Sequence, residues 1–300
     1  MPPPLFQSDA EVAAFASALR TTHVGKRIDY RARVASTNDL ALQAARDGAA
    51  HGLVFIAEAQ DAGRGRRGRQ WHSPPRLGLL FSVLVRPALL GLFSGNTSLA
   101  GPGWVPLVTG LACTEALAGL CGLSLAAKWP NDIVASSSAA PGWRKLGGIL
   151  CESALPAGNG RPAAASDPYV IIGIGLNLNH TAADLPAQAR TPPTSVLLET
   201  GKACTRLAVL RAILERLEQH LLELYAPASG AALKQRIEDQ LRQWWPPQRA
   251  LYIQAPGVNG SPERTITGRL VGLDDQGRLL VQDPSGRQLV LADAEILGGV

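Results

Sequence analysis

Gly63-Arg64-Gly65-Arg66-Arg67-Gly68-Arg69-Gln70-Trp71 is flanked by two short apolar runs, Leu53-Val54-Phe55-Ile56-Ala57-Glu58-Ala59-Gln60 and Leu77-Gly78-Leu79-Leu80-Phe81-Ser82-Val83-Leu84-Val85. Both runs have the length and the aliphatic and aromatic content of buried strands, so the basic stretch is expected to be the loop that joins them. Its glycines let the backbone approach a ligand, and its arginines gather positive charge in one small volume. A loop carried by a rigid sheet is a common seat of a binding site. The stretch has neither the GxxxxGK[ST] spacing of a P-loop nor a GxGxxG that opens a helix, so the two commonest nucleotide folds do not account for it. Read alone, it fits an anion site, a solvated basic loop or an arginine-glycine segment that binds nucleic acid. Segments of that last kind lie in disordered chain, whereas this one is expected between two strands.

Upstream, residues 9–20 have helical spacing with Ser8 or Asp9 as cap, and Arg31 to Val34 reads as a short strand. Ser36-Thr37-Asn38-Asp39 then opens a helix that Gly48 stops. Ser36 and Thr37 have two readings: caps alone, or hydroxyls at a helix N-terminus that face a polar ligand. Downstream, Ala88 to Pro106 reads as a long irregular connection and Val105 to Leu120 as a helix ending at Gly122. Leu125 to Val134 is strand-like, but Pro130 confines it to a strand end or an edge. Ser136 to Gly142 is of low complexity and is expected to be a mobile loop, and Ala157 to Pro168 reads as a polar loop rich in glycine, proline and alanine. Lys145 to Glu152 and Tyr169 to Asn179 read as strands whose pairing would give a central sheet with a glycine-lined face.

Thr205 to Tyr225 is an amphipathic helix, and Ala231 to Trp245 is another that ends at Pro246-Pro247. That proline pair divides the chain into a large domain, residues 1–247 with its core from about 22, and a small β domain, residues 248–300. In the second part Arg264 to Val271, Arg278 to Asp283 and Arg287 to Leu291 are separated by tight turns, the pattern of a β-meander large enough only for a small barrel.

The bulk properties agree with a globular protein of this size: 300 residues, 46% hydrophobic, net charge +5. The charge suits anionic ligands such as nucleotides without itself arguing for DNA or RNA. The four cysteines form no CxxC pair and the five histidines are scattered, so idle thiols in a reducing cytosol are expected and a metal cage built by the protein is not. The N-terminus lacks the basic and apolar regions of a secretory signal. No apolar run approaches the ~18 residues that span a bilayer, and a cytoplasmic protein is expected.

Lys128-Trp129-Pro130-Asn131-Asp132 places a lysine, an amide and a carboxylate together at a proline-fixed strand end, which suits phosphate and Mg²⁺. A capped, exposed strand end is the alternative. Lys145 beside Gly147-Gly148 adds a cation where a ligand can touch backbone, unless it is a lysine whose head merely reaches solvent.

Together, Ser36-Thr37-Asn38, Gln60 with Gly63 to Trp71, Lys128 to Asp132, Lys145 to Leu150 and Gly173 to Asn177 resemble, in order, the biotin protein ligase family, biotin–[acetyl-CoA-carboxylase] ligases. Ile266 to Ile296 is similar to the small SH3-like domain that closes these enzymes. The resemblance implies an α+β fold, a class II synthetase-like catalytic domain with helices against a largely antiparallel sheet. It also implies a reaction in two steps: biotin and Mg·ATP give biotinyl-5′-AMP and pyrophosphate, then a lysine of a biotin carrier protein takes the biotinyl group and AMP leaves. By the same resemblance Arg64, Arg66, the Gly65 amide and Lys145 neutralise the carboxylate and α-phosphate. Lys128 and Asn131 serve phosphates or metal, and Asp132 is the metal ligand. Gly147, Gly148, Gly173 and Gly175 make room for the bicyclic ring, while Ser36, Thr37, Asn38 and Gln60 meet its ureido group. Trp71 and Asn177 lie toward the adenylate, and the loop from Gly63 closes over it.

The implied partner is a biotin carrier protein of acetyl-CoA carboxylase or a related carboxylase. No DNA and no membrane are implied, and the state is a monomer or weak homodimer. Only 35 residues precede Ser36, too few for the helix-turn-helix domain of some members, so a ligase that is not a repressor is expected. The Ser136 insert, the stretch from Ala88 to Pro106 and the ending Ala294-Glu295-Ile296 depart from the family pattern, and the last strand is expected to be imperfect. A lipoate or octanoate ligase shares the fold and is the alternative enzyme; a nucleic-acid-binding protein is the alternative class.

Overall fold

The computed structural model describes residues 2–86, 101, 103–137, 140–154, 168–226, 229–256 and 263–299. Helix α1 (Asp9–Ala18) starts at Ser8, whose hydroxyl accepts the Glu11 N–H. It is followed by β1 (Ile28–Arg31), α2 (Thr37–Arg46), β2 (Val54–Ala57), β3 (Leu79–Val85) and α3 (Trp104–Cys121). Then come β4 (Leu125–Lys128), β5 (Asp132–Ser137), β6 (Ala140–Ala154) and β7 (Tyr169–Leu176). The helices α4 (Val196–Thr200), α5 (Arg206–Tyr225) and α6 (Gly230–Trp244) complete the larger unit. Its sheet runs β1-β2-β3-β7-β6-β5-β4, and every pairing except β1 with β2 is antiparallel.

The two faces of this sheet differ because side chains alternate along a strand. Phe81, Val83 and Val85 of β3, with Ile172 and Ile174 of β7, join the large core that also holds buried residues of α3, α5 and α6. Ser82 and Leu84 face the other way, and the register Leu80↔Gly175, Ser82↔Gly173 and Gly175↔Gly148 lines up three glycines on that opposite face. Ala41 and Ala45 of α2 cover one part of it, packing on Phe55, Leu84, Tyr169 and Ile171 in a second, smaller core. The glycine-bearing part is left for a cleft.

The smaller unit is a second antiparallel sheet, β11 (Gln288–Leu291), β10 (Leu279–Gln282), β9 (Arg264–Leu273), β8 (Ala250–Ala255) and β12 (Glu295–Gly299), in that order. The expected meander is its β9-β10-β11 part; β8 and β12 complete it, and the β12 register shifts between Ile296 and Gly298. Its β9–β10 turn docks on the larger unit through two indoles. Trp104 Nε1 donates to the Asp275 carbonyl (3.0 Å) and Trp129 Nε1 to that of Gly277 (3.1 Å). Gly277 has φ +74°, and a Cβ there would stand 2.5 Å from the Gly103 carbonyl carbon. Gly277→Ala is therefore expected to lower stability by roughly 1–3 kcal/mol, read as a drop in Tm; an unchanged Tm would show that the turn is not gripped.

Three expectations need correcting. The Ser136 to Gly142 stretch is not simply a loop: β5 continues through Ser137 and β6 starts at Ala140, joined by main-chain pairing, while residues 138–139 lie outside the described residues. The irregular stretch from Ala88 ends before Pro106, since α3 already begins at Trp104; residues 87–100 and 102, like residues 155–167 of the second polar loop, lie outside the described residues. Finally, α3 is long and apolar enough to cross a membrane, against the expectation that no such run exists, but 67% of it is buried inside this fold, where it packs on α5.

Candidate active site

The cleft lies between the uncovered glycine face, the start of α2, the basic loop and the end of the small sheet, and encloses ≈ 930 Å³ including its open mouth. One corner is a chain of uncharged polar groups. Gln60 Oε1 accepts from the Thr37 amide (2.7 Å) and the Thr37 hydroxyl (3.0 Å), and the buried Ser82 hydroxyl lies 2.7 Å from Thr37 Oγ1 and 2.6 Å from Asn38 Oδ1. Asn38 Nδ2 donates to Glu152 (2.7 Å) and to the Leu150 carbonyl (3.2 Å). Gly173 is a glycine because Asn38 lies on it: a Cβ there would be 2.1 Å from Asn38 Oδ1. Ser36 precedes α2 without making a side-chain cap bond, which leaves its hydroxyl on the cleft wall.

The basic loop is closed at its base, where the Trp71 amide donates to the Gly63 carbonyl (2.9 Å) and that of Gly65 to the Arg69 carbonyl (2.7 Å). Its tip, Arg66–Gly68, is a single 3₁₀ turn with Arg67 at φ 57°. Each arginine holds a carboxylate. Arg64 binds Glu152 through two hydrogen bonds (3.0 and 2.7 Å) and Asp39 at 2.7 Å. Arg66 reaches Asp293 and donates to Asn131 Oδ1 at 3.2 Å, Arg67 pairs with Glu263 and Asp293, and Arg69 pairs with Glu295 at 2.7 Å. Beyond the arginines, the Trp71 ring lies on the glycine floor, within 2.7 Å of where a Gly175 Cβ would stand and 3.4 Å from one at Gly148. Its Nε1 is buried and has no hydrogen-bond partner.

On the far wall Lys145 Nζ makes an ion pair with Asp132 (2.6 Å) and stands 5.8 Å from the Trp71 ring centroid. Asn131 Nδ2 donates to the Ile149 carbonyl, which fixes Asn131 Oδ1 toward Arg66. Lys128, at the end of β4, is buried; burial pulls its ammonium below the usual lysine range, against the opposing pull of Asp132 and Glu295. Burial alone would raise the Glu295 carboxyl, but hydrogen bonds from Arg69 and Arg190 more than reverse this and hold it at about 2. The small unit thus carries an anion into a cationic site.

Of the residues expected at the site, Ser36, Thr37, Asn38, Gln60, Arg64, Gly65, Arg66, Trp71, Asn131, Asp132, Lys145, Gly148, Gly173 and Gly175 surround this one cleft. Four expected residues stand behind its wall. Gly63 shapes the loop base, where a Cβ would meet the Trp71 carbonyl oxygen at 2.4 Å. Gly147 faces the core, one position out of phase with Gly148, and a Cβ on it would meet Leu176 and Ile133. Lys128 sits opposite Asp132 on the neighbouring strand, outside the cleft lining, and the Asn177 side chain donates to the Thr194 carbonyl. Sequence reasoning missed Ser82, Glu152, Asp39, Asp293 and Glu295. A carboxylate two residues beyond Leu150 on the Gly148 face was the available signal for Glu152; the carboxylates of the small unit had none. Among the described residues no group of three or more Cys, His, Asp and Glu is placed to hold a metal ion, so Asp132 belongs to no such group.

An uncharged polar corner, a glycine floor under an indole and a rim of cations around an open slot define a site for a small acid together with a phosphate ester. The Biotin/lipoate A/B protein ligase family matches residues 30–177, and the Biotin protein ligase C terminal domain matches residues 258–294. A biotin–[acetyl-CoA-carboxylase] ligase of Paracoccus denitrificans is 33% identical over 278 residues, 89% of this chain and 99% of that protein. One of Mycobacterium tuberculosis is 29% identical over 282 residues, 91% of this chain and 89% of that protein. The biotin protein ligase of Aquifex aeolicus in complex with biotin and ATP superimposes with a TM-score of 0.68 at 26% identity, covering 90% of this chain and 98% of that one. The chain belongs to the biotin protein ligase family.

Proposed function

We propose that this cleft joins biotin to AMP and then passes the biotinyl group to a lysine of a biotin carrier protein, that of acetyl-CoA carboxylase or a related carboxylase. Biotin and ATP are the substrates. In the first step a carboxylate oxygen of biotin attacks the α-phosphorus of ATP and pyrophosphate leaves. Two anions must be brought together, so the protein's work is charge neutralisation and positioning, with no protein nucleophile. Arg64, Arg66 and Lys145 are the neutralising cations, and each releases a carboxylate of the protein to take up substrate. Thr37, Gln60 and Ser36 offer hydroxyl and amide groups to the ureido ring, held in place from behind by Asn38 and Ser82. Asn131 and Asp132 stand where the phosphates enter. One carboxylate is enough to help hold a magnesium ion that arrives with ATP, because phosphates and water supply its remaining ligands. In the second step the carrier's amine attacks the acyl carbon and AMP leaves; Trp71 and the loop above it keep water from the anhydride.

The observation that carries this reading is the convergence of Arg64, Arg66 and Lys145 on a slot floored by Gly148, Gly173 and Gly175. The engagement of every loop arginine with a carboxylate favours it over a nucleic-acid surface. Its test is exchange of labelled pyrophosphate into ATP with biotin or with lipoate, followed by transfer to an apo carrier. Exchange with lipoate but not with biotin would overturn it. Arg66→Gly is expected to speed release of the adenylate about tenfold or more, one charge-assisted contact being lost; an unchanged release rate would remove Arg66 from the site.

A further inference from the structure

His180 follows β7 and the stretch Asn177 to Asn179, and nothing in the proposed chemistry uses it. It is fully buried (0% exposed), its Nε2 lies 3.0 Å from Ser73 Oγ, and its Nδ1 has no partner. Its carbonyl accepts the Ser195 hydroxyl (2.7 Å), the cap of α4. Burial lowers the imidazole to about 4, so it is neutral near pH 7. A buried ring with one unmatched nitrogen costs stability wherever an apolar side chain could fill the space. The bond it does make falls at an informative place. Ser73 is two residues past Trp71, where the basic loop turns back to β3. Gly78 closes over the pair: a Cβ there would stand 2.8 Å from Ser73 Oγ and 3.1 Å from the His180 ring. Besides the two main-chain bonds at its base, the loop is held by ion pairs, and those of the half-exposed Arg64 and Arg69 are individually weak.

We propose that Ser73 and His180 are a positioning pair that pins the exit of the basic loop to the end of β7 and thereby keeps Trp71 on the Gly148–Gly175 floor. The carbonyl of the same histidine takes the Ser195 hydroxyl, so the loop exit and the cap of α4 share one buried anchor. The pin itself is a property of the ligand-free fold; its effect on adenylate retention rests on the function proposed above.

The ligand-free test is trypsin cleavage after Arg64, Arg66, Arg67 and Arg69, followed by mass spectrometry in wild type, Ser73→Ala, His180→Met, the double variant and His180→Gln. Ser73→Ala and His180→Met are each expected to speed loop cleavage about three- to tenfold, since local opening governs the rate. The double variant should be no faster than either single one, and His180→Gln, whose amide can reach Ser73, should restore much of the protection. Cleavage of Ser73→Ala at the wild-type rate, or effects that multiply in the double variant, would overturn the pin. Should His180→Met not fold, Ser73→Ala decides alone. Dissociation of biotinyl-5′-AMP should quicken in step with cleavage and recover with His180→Gln; a purely structural pair would lower Tm without moving that rate. A wild type that makes no adenylate would sink the proposed function and leave the cleavage result to judge the pin.

Discussion

Lys145→Ala is expected to lower biotin-dependent pyrophosphate exchange by roughly 10²–10³-fold, the usual loss when one preorganised charge is removed from a developing anion, while Tm changes little. The asymmetry follows from where Lys145 stands. Its side chain is 27% exposed and its only described ion pair is with Asp132, so little packing is lost with it. Asp132 is not stranded by the change, because its charge also supports the buried ammonium of Lys128. On the chemical side the loss has no substitute: Arg64 and Arg66 approach from the loop, and Lys145 is the cation that faces them from the sheet. Exchange kinetics beside a thermal melt decide the matter. Activity and Tm falling together would make Lys145 a structural residue, and exchange unchanged at saturating substrate would remove it from the reaction.

How much of this could be read from the chain depended on whether a feature was local. The strands on either side of Gly63 to Trp71, the glycine strands β6 and β7, and the helices α3 and α5 announce themselves by composition and period. What sequence could not settle was phase and partnership. Gly147 and Gly148 are equivalent as letters, yet strand alternation sends one to Leu176 in the core and the other to the cleft, and only the pairing Gly148↔Gly175 says which. Ser36 and Thr37 could be read as caps or as ligand-facing hydroxyls; the partners of Thr37, Gln60 and Ser82, lie 23 and 45 residues away and could not be read. The arginines were legible as charge, but the carboxylates they hold were not, because Asp293 and Glu295 arrive from the small unit over 220 residues later. For His180 even the residue type misled, since a scattered histidine carries no signal until Ser73 is seen beside it.

Arg206→Met should be the most destabilising single change at the base of the loop. Arg206 and Glu58 form a buried ion pair (2.7 Å; 7% and 6% exposed), and Arg206 also donates to the carbonyls of Gly78 and Pro3. Glu58 is further bound by the Tyr30 hydroxyl (2.7 Å) and the Leu5 amide (2.5 Å). Removing the cation leaves a buried carboxylate unpaired, a loss of about 3–5 kcal/mol, or a Tm lower by roughly 10 °C for a chain of this size. Changing Glu58 to leucine in the same protein should recover part of that, because the stranded charge goes with it. The pH dependence has a definite sign. Burial alone would raise the Glu58 carboxyl, but the hydrogen bonds from Arg206, Tyr30 and Leu5 outweigh it and bring it below the ordinary glutamate value. Stability from a depressed carboxyl is present above the unfolded-state value, about 4.3, and fades as pH falls through the folded one. In Arg206→Met burial prevails and the carboxyl rises, so the variant takes up its proton sooner. Urea unfolding should therefore find the gap between wild type and variant widest near pH 7, narrowing first as pH falls through the variant's raised carboxyl and further below about pH 4, where the wild type loses its own contribution. A gap that stays constant between those pH values would mean that packing by the arginine stem, and not the ion pair, holds this corner. Since Glu58 and Gly78 are where the chain leaves β2 and re-enters at β3, adenylate retention should weaken with the same substitution.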